Sequence, residues 1–161
     1  MHLDLGEYDD AVNCYKKIIS ISENAVFLPS AIKLFHTSIA RAKILRHDQD
    51  IELSELFACY QHSKLTFCEG WMARNIGDIM LNMDDEHLSE AEAWFQKAIE
   101  ADTRNGLRWH LAYDHALYAD FFKKKSDIQG AKEQLIKAID FFRECEADGW
   151  VKKIEHERAS L

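Results

Sequence analysis

Apolar positions recur every three to four residues through almost the whole chain, and alternation of apolar and polar residues never persists long enough for a strand. The first segment of this kind runs from Glu7 to Ile21 and carries two stripes, Tyr8, Val12, Tyr15, Ile19 and Ala11, Cys14, Ile18, Ile21. Two adjacent stripes make a wide apolar face that asks for neighbours on both sides. A loop is expected over Ser22–Leu28, after which Pro29 stands where proline is tolerated, in the first turn of a new helix that carries Ile32, Phe35, Ile39 and Ala42 to Arg46. The polar run His47-Asp48-Gln49-Asp50 ends it, and a third helix bearing Leu53, Leu56, Phe57 and Tyr60 is expected to run toward Phe67. Beyond Gly70 the pattern predicts helices over Trp71–Met83 and Ala91–Ala101, a long one ending near Lys125, one capped by Ser126-Asp127, and a last one over Asp148–Leu161. About eight helices result, antiparallel because the connections are short.

Three of these helices share one motif, an alanine, a bulky residue four on and a further Ala or Ile three beyond: Ala11-x3-Tyr15-x2-Ile18, Ala91-x3-Phe95-x2-Ala98 and Ala131-x3-Leu135-x2-Ala138. The small residue lets one helix lie in its neighbour's groove and the bulky one fills the space beside it. Ala91 and Ala131 are 40 residues apart and Ala11 and Ala91 are 80 apart, so one more unit fits between, its best register being Leu53-x3-Phe57-x2-Tyr60. The helix ahead of two of these motifs carries Ile76-Gly77-x2-Met80 and Tyr118-Ala119-x2-Phe122.

The set resembles the tetratricopeptide repeat, with "LGEYDDAVNCYKKIIS" and "LSEAEAWFQKAIEAD" as its closest matches, although the period exceeds the usual length and no proline closes a repeat. Its long helices look like the C-terminal arrays of bacterial signalling proteins in which an ATPase, cyclase or kinase region precedes the repeats. The resemblance implies an all-α, right-handed superhelical array of antiparallel helix pairs. Its units would be a half repeat over 1–22, a degenerate repeat over 23–69, repeats over 70–103 and 104–146, and a capping helix over 147–161. Glu7–Ile21 reads as a second helix without its first, which suggests a piece of a longer protein or a natural half-repeat. In this family the first helices line a concave groove. That places Trp71, Arg74, Asp78 and Asn82 on the groove from one repeat and Trp109, Tyr113, Asp120 and Lys124 from the next. The alternative for Trp71 and Trp109 is that they fill the core. Arg74 and Lys124 are taken as exposed charges that folding does not need.

Composition narrows the chemistry. Six glycines and one proline are too few for an all-β fold, and the net charge of −8 with no basic face argues against nucleic acid. The Lys123-Lys124-Lys125 run suits a helix C-terminus. Four scattered cysteines and no apolar run of membrane-spanning length suggest free thiols in the cytoplasm and no membrane partner. Cys59 and His62 share a helix face without a nearby completing set, so no metal or other cofactor is expected. No phosphate loop or nucleophile motif appears, acidic pairs such as Glu90/Glu92 diverge on their helices, and the chain is read as non-catalytic. The expected function is a scaffold that binds a protein or peptide in the groove. The alternatives are a regulatory or sensor module of a larger signalling protein, or self-association, with a homodimer formed through the open stripe of helix 7–21.

Overall fold

The computed structural model describes residues 3–22, 29–48 and 50–161, which fold into helices and turns with no strand among them. The α-helices are α1 (Tyr8–Ser22), α2 (Pro29–Leu45), α3 (Leu53–Gln61), α4 (Glu69–Met83), α5 (Leu88–Arg104), α6 (Arg108–Lys124), α7 (Ile128–Glu144) and α8 (Asp148–Ala159). Short 3-10 turns at Leu3–Leu5 and Thr66–Cys68 precede α1 and α4. The loop expected over Ser22–Leu28 falls on residues 23–28, outside the described residues, with Ser22 itself closing α1.

The second half of the chain keeps strict time. Helices α5, α6 and α7 have 17 residues each, and the three turns between α5 and α8 are built alike. Each places one residue in the left-handed region, Gly106 (φ 67°), Ser126 (59°) and Glu146 (54°). The next amide then reaches back to a carbonyl five residues earlier: Leu107 N to Asp102 O (2.9 Å), Asp127 N to Phe122 O (2.9 Å) and Ala147 N to Phe142 O (3.0 Å). This is the Schellman arrangement, which satisfies the orphan carbonyls of a helix end and turns the chain back. His47 (φ 69°) does the same after α2, with Asp48 N bonded to Lys43 O at 3.0 Å. Repeating one turn makes each successive helix antiparallel to the last and gives the 40-residue period seen in the sequence.

Small residues set how close the pairs come. In α5, Ala91, Phe95 and Ala98 are fully buried, and in α7 so are Ala131, Leu135 and Ala138. At Gly77 of α4 a methyl group would stand 3.3 Å from the Ala91 carbonyl and from the Phe95 ring, so the glycine allows that approach. Every residue of α4 from Met72 to Leu81 is buried, because α2, α3, α5 and α6 all pack against it. One apolar cluster joins α2 to α6, and a second joins α6, α7 and α8 through Leu135, Phe142, Val151 and Ile154.

The first half departs from the expected pattern. Helix α3 stops at Gln61 instead of running toward Phe67, and Phe67 is 56% exposed. The polar run from Gln61 to Lys64 gives nothing to bury, and the chain extends before the Thr66–Cys68 turn. Leu56 is the buried residue of α3, while Leu53, Phe57 and Tyr60 pack half-buried, Phe57 and Tyr60 on the Trp94 ring. Bulky residues at all three marker positions keep α3 from the close approach that alanines give α5 and α7. In α1, Val12 and Ile19 are covered and Ala11 packs with Val12 on Ala42 of α2, whereas Cys14, Ile18 and Ile21 stay exposed.

A left-handed backbone costs a residue with a Cβ about 1 kcal/mol that glycine avoids. Ser126→Gly and Glu146→Gly are therefore each expected to raise the unfolding free energy by about 1 kcal/mol, read by urea denaturation. Gly106→Ala, at the equivalent turn, is expected to lower it by a similar amount.

Candidate functional site

The three 17-residue helices and their matched turns bring alternate helices to one side of the array. Residues of α2, α4, α6 and α8 line two adjoining cavities of about 390 Å³ each. Leu3 of the N-terminal turn, Arg41 of α2 and Tyr113 of α6 border both. The first cavity is aromatic, with Trp71, Trp109, Trp150, Tyr15 and Tyr113 around Arg74 and His110. The second is mixed, with Asp78, Asn82, Asp120, Lys124 and Lys153 set among Leu45, Leu81 and Leu117. All eight residues singled out in the sequence lie on one or the other.

The two tryptophans differ: Trp71 packs in part on the buried cluster of Leu34, Cys68 and Met72, and Trp109 is open. Trp109 is 42% exposed and meets Phe142 and Trp150 edge-on, and Trp71 is half-buried and tilted against His110 at 5.5 Å. Trp150, assigned above to a cap, stacks on Phe142 at 5.3 Å while its edge meets Tyr113 at 5.5 Å. The Tyr113 ring also lies under two guanidiniums, Arg74 at 4.9 Å and Arg41 at 5.9 Å, within the range where a cation is drawn to a ring face.

The charged residues are the main correction. Arg74 is only 3% exposed: its Nη1 donates to Asp114 Oδ1 at 2.6 Å and to the His110 carbonyl at 3.2 Å. Asp78 is buried too and accepts from Arg41 Nε at 2.6 Å and from Asn82 Nδ2 at 3.1 Å. Between these pairs Asn75 donates to Thr37 and Ser38, both at 3.1 Å. The cause is the all-round burial of α4, which leaves its polar residues only other helices to face. Lys124 is partly exposed and donates to the Leu81 carbonyl at 2.7 Å, with Asp85 3.1 Å away. Asp120 accepts from Lys123 at 2.7 Å, and burial raises its carboxyl above the usual range.

Behind Arg74 sits Asp102 of α5, fully buried, with neither carboxyl oxygen accepting a hydrogen bond. It lies so tight against Gly70 that a Cβ there would come within 2.1 Å of Oδ1. Burial, and then the charge of neighbouring Asp114, push Asp102 up to about 8. Burial raises the Asp114 carboxyl as well, but the Arg74 guanidinium paired with it opposes that shift, while Asp102 keeps its proton at neutral pH. His110 is held neutral, lowered to about 4 by burial and then by Arg74. Among the described residues no group of three metal-binding side chains forms. What the geometry presents is an open groove with aromatic rings over an ion-paired polar floor.

Sequence reasoning missed Arg41, His110, Trp150, Tyr15 and Leu3. Arg41 lies in the degenerate unit, where no alanine marker sets the register. Trp150 was within reach, because it stands 40 residues after His110, one period on along the array.

Comparison with known proteins places this fold. A tetratricopeptide-repeat family profile matches residues 1–24. Among solved structures, the chain is similar to the crystal structure of BtubC (BKLC) from P. vanneervenii, with a TM-score of 0.63 at 12% identity over 91% of this chain. It covers 62% of that structure, and at this identity the likeness is one of fold. A search of curated protein sequences finds no match. The chain is a tetratricopeptide-like helical-repeat protein.

Two outcomes follow from the buried floor. Arg74→Ala leaves the Asp114 charge buried without its partner and is expected to cost about 3–5 kcal/mol in urea denaturation, the effect of breaking a buried pair. Asp102 has a raised folded-state pKa, so its contribution to stability is greatest below the unfolded carboxylate range near 4 and is lost as pH climbs toward 8. His110, lowered in the fold, gains stability with rising pH only up to about 6.5. Between pH 6.5 and 8 the Asp102 effect therefore stands clear of it. The stability of Asp102→Asn relative to the native chain is expected to rise across that window, and a pH-independent difference would show that Asp102 is already ionised below it.

Proposed function

We propose that the groove holds an extended or helical segment of a protein partner, and that the chain is a scaffold rather than an enzyme. Tetratricopeptide repeats as a class mediate protein–protein interaction. The observation that carries the reading here is the aromatic cavity. Three tryptophans and two tyrosines from four helices converge on one opening, and Trp109 keeps nearly half its surface in water. Large aromatic groups gathered on an open surface are the usual anchors of protein interfaces. Beside them, Asn82, Asp120 and Lys124 offer polar contacts, while Arg74 and Asp78 hold the floor in place.

A second reading, self-association through α1, is favoured by one observation. Ile18 and Ile21 of α1 are 38% and 63% exposed and, with Cys14, form an uncovered apolar stripe. Sedimentation across a hundredfold concentration range separates the readings. A dimer that Ile18→Glu breaks would place self-association on α1, whereas one mass throughout would leave the groove reading alone.

Trp109→Ala is expected to weaken a bound segment tenfold or more, in keeping with an interface anchor. The same change should cost only about 1 kcal/mol in stability, because the ring makes edge contacts and is half exposed. Lys132→Ala, on the opposite helix layer, is expected to leave binding unchanged in calorimetry.

A further inference from the structure

Arg41 differs from every other charged group of the groove floor. It is 6% exposed, and its Nε is committed to Asp78 at 2.6 Å. Its two terminal nitrogens, by contrast, make no hydrogen bond with any described residue, and neither is among the sealed, unsatisfied atoms of the interior. Arg74 shows the contrast: its ends are taken by Asp114 and His110, and its one unbonded nitrogen, Nε, is shut away from solvent. Arg41 thus presents donors with no acceptor among the described residues, where both cavities meet. A buried guanidinium with unmet donors calls for an acceptor, and the planar edge of an arginine suits a carboxylate.

We propose that Arg41 receives the side-chain carboxylate of an aspartate or glutamate inside the bound segment, with a large apolar residue beside it in the aromatic cavity. This inference rests on the groove being the binding surface. The acid belongs within the segment rather than at its end because space continues on both sides of Arg41, so a chain can run past it in either direction. Charge agrees: although the protein carries −8, the groove lining bears Arg41, Arg74, Lys124 and Lys153 against Asp78 and Asp120.

The test uses the whole chain and random twelve-residue peptides displayed between two carrier segments, so that no free terminus is offered. Selected peptides are then made acetylated and amidated and measured by calorimetry. Enrichment of an internal Asp or Glu next to a large apolar residue is expected. Changing that acid to its amide, or Arg41→Lys in the protein, should then weaken binding about tenfold or more, the range for a hydrogen bond to a charged group. Arg41→Lys still neutralises Asp78, and the double variant Arg41→Gln/Asp78→Asn, which removes both charges together, guards against a folding defect and should show the same loss with an unchanged circular dichroism spectrum. Peptides that need Trp109 but show no acid preference, or affinities within twofold for Arg41→Lys, overturn the carboxylate assignment and leave the groove reading standing. Binding only by peptides with a free C-terminus overturns the internal placement. If no selected peptide responds to Trp109→Ala, both readings fall.

Discussion

Two buried ion pairs set the first helices side by side. Arg41 of α2 binds Asp78 of α4, and Arg74 of α4 binds Asp114 of α6, each at 2.6 Å. Arg74 and Asp114 are 40 residues apart, so this second pair joins equivalent points of successive repeats. Between the pairs, Asn75 bonds Thr37 and Ser38. Apolar packing is non-directional and tolerates sliding, whereas these contacts do not. A slip of one helical turn, about 5.4 Å, would leave four charges buried without partners. The alanine and glycine positions bring the layers close, and the ion pairs fix their register.

The same pairs shape the groove. A floor whose charges are paired holds its shape, and the aromatic residues above it stand at defined heights because α6 and α8 are placed by the turns at Ser126 and Glu146. Tyr113 is held from below by Arg74 and Arg41 and from the side by Trp150. Holding such rings in place before a ligand arrives reduces the ordering cost of binding.

Much of this fold was legible in the sequence because helix periodicity and a repeating alanine are local signals. The 40-residue spacing of Ala91 and Ala131 located α5 and α7, and the turns between followed. The limits are physical too. Helix α3 is shorter than its apolar pattern suggests: the aromatic Phe67 reads as core and outweighs the polar run from Gln61 to Lys64, where the helix ends. The resemblance to a repeat whose first helices face inward assigns the eight residues to one side, and all eight line the two cavities there. Their burial was not legible. Arg74 and Asp78 read as surface charges because their partners, Asp114 and Arg41, lie 40 and 37 residues away, and only the assembled array shows that α4 has no solvent face. Asp102 lies just past the helix expected over Ala91–Ala101, yet it sits in the last turn of α5, buried against Gly70.

Leu3 borders both cavities although it lies in the 3-10 turn ahead of α1, at the opposite end of the array from Trp150 and Lys153. A segment running the length of the groove would therefore touch the N-terminal turn, which among the described residues packs with the small cluster around Val12 and Ala42. Occupancy and the order of that turn become linked quantities. Whatever factor an ordered Leu3 adds to the affinity of the segment, the bound segment returns to the stability of the turn. The N-terminal turn then reports on the groove, and any contact that steadies it from outside acts on binding without entering the groove at all.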